Sequence, residues 1–140
     1  MRTIKTKEDL QVLERARVLP QPVFNYLSQQ FHQLEEALHD PNDVSPFDLY
    51  DHGYIVLLEP GDNVRDLREV GLHCMHEGLL GSLAEYVERV RLEDGTELYR
   101  VGVLYNNDYM MFFYSVVGSH DEEVEAWLKA EADFGEVITP

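Results

Sequence analysis

His73-Cys74-Met75-His76-Glu77 is the densest run of groups in this chain that could bind a metal or attack an electrophile. Two histidines three apart can share one face of a helix, with Glu59, Asp62 or His52 left to complete a coordination shell. Zinc takes three or four protein ligands in a tetrahedral arrangement, and only two are clustered here. The spacing matches neither an HExxH helix nor paired CxxC knuckles. Cys74 has His73 and His76 beside it, but neighbours in sequence need not face each other. A thiol and an imidazole cooperate only within hydrogen-bond reach. No GxSxG, Walker A or GxGxxG pattern occurs, and with 27 acids in the chain, pairs of carboxylates arise by chance. The expectation is no catalytic residue, no metal and no cofactor. A small metal-dependent enzyme centred on His73 and His76 is kept as an alternative.

Arg89, Arg91 and Arg100 form a second constellation, one that depends on a hairpin. Asp94-Gly95 suits a two-residue type I′ turn, which needs positive φ at both central residues. That turn pairs Leu92 with Glu97, Val90 with Tyr99, Glu88 with Val101 and Tyr86 with Val103. One face then collects Tyr86, Val90, Leu92, Tyr99, Val101 and Val103. The other face sets Arg89 directly opposite Arg100, with Arg91 alongside. Opposed like charges are destabilising unless compensated. The compensation is either acids from an overlying element or an anion or partner bound at this patch.

Charge is the strongest compositional signal. Twenty-seven acids against 11 bases leave a net charge of −16 in 140 residues. The first 20 residues carry +2, from Arg2, Lys5, Lys7, Arg15 and Arg17 against Glu8, Asp9 and Glu14, so residues 21–140 carry −18. Such a field repels polyanions and attracts basic partners. Scarce lysine, three residues against eight arginines, also fits generic or salt-adapted acidity. At 44% apolar and 11% aromatic the chain can build a core and is not an acidic disordered tail. Cys74 is the single cysteine, which excludes an intrachain disulfide. With no apolar leader pattern and no run of about 18 apolar residues, the expected location is the cytoplasm.

The elements that must position these residues read as a single domain, 1–140, with an N-terminal helical region at about 7–39 and an α+β core at about 54–133. Leu10, Leu13 and Arg17 have helical spacing, and Pro20-Gln21-Pro22 breaks the chain before a second helix. Phe24, Leu27, Phe31, Leu34 and Leu38 then form a heptad-like stripe, suited to the chain's own core or to a second copy. Tyr54–Leu58 reads as a buried strand, Pro60-Gly61 as a type II turn, and Asp62 as the cap of a short helix through Glu69. Ser82-Leu83-Ala84-Glu85 is a capping-box pattern, so a helix through Val90 competes with the first hairpin strand. Tyr109–Val117 is apolar on both faces and demands cover on both. Acids at Glu122, Glu123 and Glu125 open a last helix, with Val124, Trp127 and Leu128 towards the sheet. The expected fold is α+β: two N-terminal helices, an antiparallel sheet of about four strands with a β-meander, and a C-terminal helix packed on it.

For function these features favour a non-enzymatic acidic binding protein that engages a basic protein, of the inhibitor, antitoxin, immunity or nucleic-acid-mimic type. Glu122, Glu123, Glu125, Glu131, Asp133 and Glu136 are the candidate partner surface, and Arg89, Arg91 and Arg100 the candidate anion or partner patch. Neither a nucleic acid nor a membrane is expected as a direct partner. A self-assembling homo-oligomeric module, associating through Tyr109–Val117 or the Phe24–Leu38 stripe, is the other alternative.

Overall fold

The computed structural model describes residues 2–38, 40–42, 44–49, 53–59, 61–62, 84–106, 109–119, 122–132 and 137–138. Within them lie β1 (Arg2–Ile4), α1 (Lys7–Ala16), α2 (Gln21–Leu38), β2 (Gly53–Leu57), β3 (Ala84–Arg91), β4 (Glu97–Asn106), β5 (Tyr109–Val116), α3 (Glu122–Ala132) and β6 (Val137–Ile138). The fold is α+β, with two N-terminal helices and a C-terminal helix on a sheet ordered β1-β2-β5-β4-β3-β6. The expected antiparallel meander is its centre, β3-β4-β5. Around it the sheet is larger than expected and mixed, because β2 joins β5 in parallel and β6 joins β3 in parallel. Residues 84–91 are strand, which resolves the helix alternative for that segment.

Local chemistry explains the N-terminal third. Thr6 caps α1: its side chain accepts from Asp9 N–H at 3.2 Å, and the Asp9 carboxylate accepts from Thr6 N–H at 3.2 Å. Arg17 ends the helix in the left-handed region, φ 51°, with its N–H on the Glu14 carbonyl. The Pro20 carbonyl accepts from Val23 and Phe24 N–H, each at 3.1 Å. Pro22 falls in the first turn of α2, where a missing N–H costs nothing. Arg2–Ile4 pairs with β2 as an edge strand, an element that sequence reasoning passed over because three residues carry no periodicity.

Both faces of the sheet are covered. Ile4, Ile55, Leu57, Val90, Leu98 and Tyr114 meet Leu10, Leu13, Val23, Tyr26, Leu27 and Phe31 of the N-terminal helices in one cluster. Alternation sends Val56, Val87, Tyr99, Val101 and Phe113 to the opposite face, where all are buried. On that side α3 packs against β3 through Val124 and Leu128, while Trp127 stays half-buried. The two-faced apolar character of β5 therefore follows from its inner position: Phe112, Tyr114 and Val116 serve one core and Phe113 the other. The α2 stripe is also rotated from expectation. Val23, Tyr26, Leu27 and Phe31 are buried, Phe24 and Leu34 are half-buried, and Leu38 is 39% exposed.

The rotation yields a paired expectation. Leu27→Ala should cost about 2–5 kcal/mol, as for a core leucine. Leu38→Ala should stay within about 0.5 kcal/mol. Urea midpoints of the two variants check this, and equal losses would contradict the observed face.

Candidate functional site

The β3–β4 turn organises the charged surface, and it differs from the expected one. Gly95 has φ 90°, while Arg17 is the one non-glycine with positive φ among the described residues, so Asp94 cannot occupy a type I′ position. Instead Glu93-Asp94-Gly95 is a three-residue loop. Gly95 N–H donates to the Leu92 carbonyl at 3.0 Å, and Leu92 N–H to the Thr96 carbonyl at 2.8 Å. Arg91 thus faces Glu97, Arg89 faces Tyr99 and Glu88 faces Arg100, one residue out from the expected pairing.

That shift corrects the arginine patch. Arg89 and Arg100 point to opposite faces and do not oppose each other. Glu97 lies between the two arginines of its own face. Arg91 donates to Oε1 through Nε at 3.1 Å and Nη2 at 2.9 Å, and Arg89 Nε lies 3.1 Å from Oε2 as an ion pair. On the other face Arg100 Nη1 donates to Glu88 Oε2 at 3.3 Å, and its guanidinium sits 5.0 Å from the centre of the Phe112 ring. Arg89 and Arg91 thereby share one carboxylate, Glu97, and Arg100 has Glu88, all within the hairpin itself. The structure does not bring them together as one anion-binding surface.

The other expected site residues separate in the same way. Glu122, Glu123 and Glu131 are exposed on α3 and Glu125 is half-buried, while Asp133 and Glu136 lie outside the described residues. At about 3.6 residues per turn these glutamates fan round the exposed arc of α3 instead of forming one patch. Those in the first turn also have a structural role, opposing the positive end of the helix dipole. His52, His73, Cys74, His76 and Glu77 lie outside the described residues. Glu59 and Asp62 instead close the expected turn: Asp62 N–H donates to the Glu59 carbonyl, with Gly61 at φ 86° between them. Among the described residues no three His, Cys, Asp or Glu side chains group as metal ligands. No described helix is long and apolar enough to cross a membrane.

What the turn does create is a cleft of about 560 Å³ between its tip and α2. Pro22, Asn25, Tyr26 and Gln29 line one wall, following the i, i+3, i+4, i+7 pattern of one helix face. Leu92, Glu93 and Asp94 line the other, so both charged groups in the lining are acids. Thr96 donates to Asp94 from its backbone N–H at 3.0 Å and its hydroxyl at 2.8 Å. These bonds favour the ionised carboxylate and hold its pKa below the ordinary 3.8. The cleft offers two carboxylates and the amides of Gln29 and Asn25, whose Oδ1 also accepts from Gln21 Nε2 at 2.9 Å, a lining that suits a cationic side chain. The signal for Asn25 and Gln29 was present in the i, i+4 spacing, but only the fold could set the hairpin tip against them. Comparison of this chain with protein families, curated proteins and solved structures gives no match.

Asp94 gives a pH test. Its depressed pKa means that its contribution to stability is present above 3.8 and is lost as pH falls below that value. The melting-temperature difference between wild type and Asp94→Asn should therefore shrink as the solution is acidified through that range. Titration of Asp94 at or above 3.8 by NMR would contradict it.

Proposed function

We propose that this chain is a non-enzymatic acidic binding protein that engages a basic protein partner. The observation that supports it is the acid-lined cleft between α2 and the β3–β4 tip. Arg89 and Arg91 share Glu97 and Arg100 pairs with Glu88 in the same hairpin, while Glu93 and Asp94 are the charged groups that line the cleft at its tip. A lysine or arginine entering the cleft would meet carboxylates and side-chain amides together. The −18 carried by residues 21–140 would steer a basic surface towards it. That same charge opposes nucleic acid and anionic membrane. Complementarity of this kind contributes to association rate and partner choice more than to raw affinity.

The self-assembly reading has less support, since Tyr114 and Phe113 of β5 and Leu27 and Phe31 of α2 are buried within the chain's own cores. The α3 glutamates remain a second acidic surface within the binding reading, and the test separates the two.

A labelled arginine-rich peptide should bind the full chain at low salt and weaken as salt rises. Amide shifts should concentrate at Asn25, Gln29, Glu93 and Asp94. Reversing both tip acids, E93K with D94K, should cost about tenfold or more in affinity, equivalent to about 1.4 kcal/mol per decade. Reversing Glu122, Glu123 and Glu131 should cost less. Shifts spread evenly over the surface would mean generic acidity and overturn the reading.

A further inference from the structure

At the elbow between α1 and α2 lies a second groove, of about 500 Å³, whose apolar lining is Leu13, Leu19 and Phe24. Its charged lining is Arg15, Arg17 and Glu14, which leaves one net positive charge in a chain of net −16. The other described arginines all meet a carboxylate. Arg2 pairs with Glu59, Arg89 and Arg91 with Glu97, and Arg100 with Glu88. Among the described residues, Arg15 and Arg17 have no carboxylate at ion-pair distance, despite 27 acids in the sequence. Both are exposed, and Val18, which follows Arg17, is 49% exposed. The left-handed turn at Arg17 separates it from the axis of α1 and brings Leu19 and Phe24 beside the same opening.

We propose that this groove docks an acidic segment of a partner protein, one that also carries an apolar anchor side chain. The chemistry of the lining sets both requirements. The leucines and Phe24 would bury an aliphatic or aromatic side chain, for which about 25 cal/mol per Å² is available, and the two arginines would take carboxylates beside it. The groove, about 500 Å³ and partly open to solvent, has room for an anchor side chain. Inorganic phosphate would satisfy the arginines but leave the apolar lining unused. The net negative charge of the chain does not forbid approach. It slows the approach of an acidic segment, and screening over about 8 Å at physiological salt limits that repulsion at close range. The surface is distinct from the acid-lined cleft and does not depend on that cleft's function.

The probe is a short labelled peptide alternating glutamate and leucine, titrated against the full chain. Expected are binding that weakens with salt, amide shifts confined to residues 13–24, and loss of about three- to tenfold in affinity in the R15A/R17A variant, as two exposed charge contacts would give. An all-glutamate peptide and inorganic phosphate should bind more weakly than the alternating peptide. Shift mapping on the wild type keeps the test decisive even if the variant is unstable. Four results would overturn the proposal: no binding at millimolar peptide, equal affinity in R15A/R17A, equal affinity for the all-glutamate peptide, or shifts elsewhere. Sedimentation showing self-association that needs Arg15 and Arg17 would also overturn it, by making a second copy of this chain the occupant.

Discussion

The loop Glu93-Asp94-Gly95 sets which face every described side chain of β3 and β4 occupies. Side chains alternate along a strand, so adding one residue to the loop changes every partner across the ladder. Gly95 supplies the single positive φ that a three-residue loop requires. Asp94 holds the next residue in place through two bonds from Thr96. With that register, Val90 meets Leu98 beneath the N-terminal helices while Tyr99 and Val101 line the opposite core. The covering of both sheet faces, the pairing of the arginines and the acid cleft all follow from it.

Charge is distributed by the same geometry. The hairpin could have presented three arginines together, which would cost free energy from like-charge contact. Instead each is given a carboxylate across the ladder or diagonally on its own face. Such pairs contribute modestly to stability at these exposures. Their larger effect is on the surface: the strand arginines are largely offset by Glu97 and Glu88, and charge without an ion-pair partner among the described residues lies beside both clefts. The β3–β4 tip keeps Glu93 and Asp94, and the α1–α2 elbow keeps Arg15 and Arg17. A chain with one strong net charge thus lines one cleft with two acids and the other with two arginines and one acid.

Several elements were legible residue by residue. The break at Pro20-Gln21-Pro22 separates α1 from α2, and the turn expected after β2 closes between Glu59 and Asp62 with Gly61 at positive φ. Val124 and Leu128 face the sheet. The hydrophobic residues assigned to the hairpin are buried wherever the structure describes them. Their division between two faces was not legible, because Asp-Gly suits both a two-residue and a three-residue loop, and alternation along one strand says nothing about the offset of its neighbour. β1 was missed for a related reason: Arg2–Ile4 becomes a strand only by pairing with Ile55–Leu57, more than fifty residues away.

Composition and local spacing by themselves determined the α+β class, the two N-terminal helices, the meander and the acidic field, since each arises from periodicity, turn chemistry or summed charge within short stretches of chain. Tertiary structure decided the parallel joins of β2 to β5 and β6 to β3, the face each arginine occupies, and which helix wall stands opposite the hairpin tip. Those outcomes depend on contacts between residues far apart in the chain. Their free energies come from burial and pairing that exist only once the sheet has closed around its two cores.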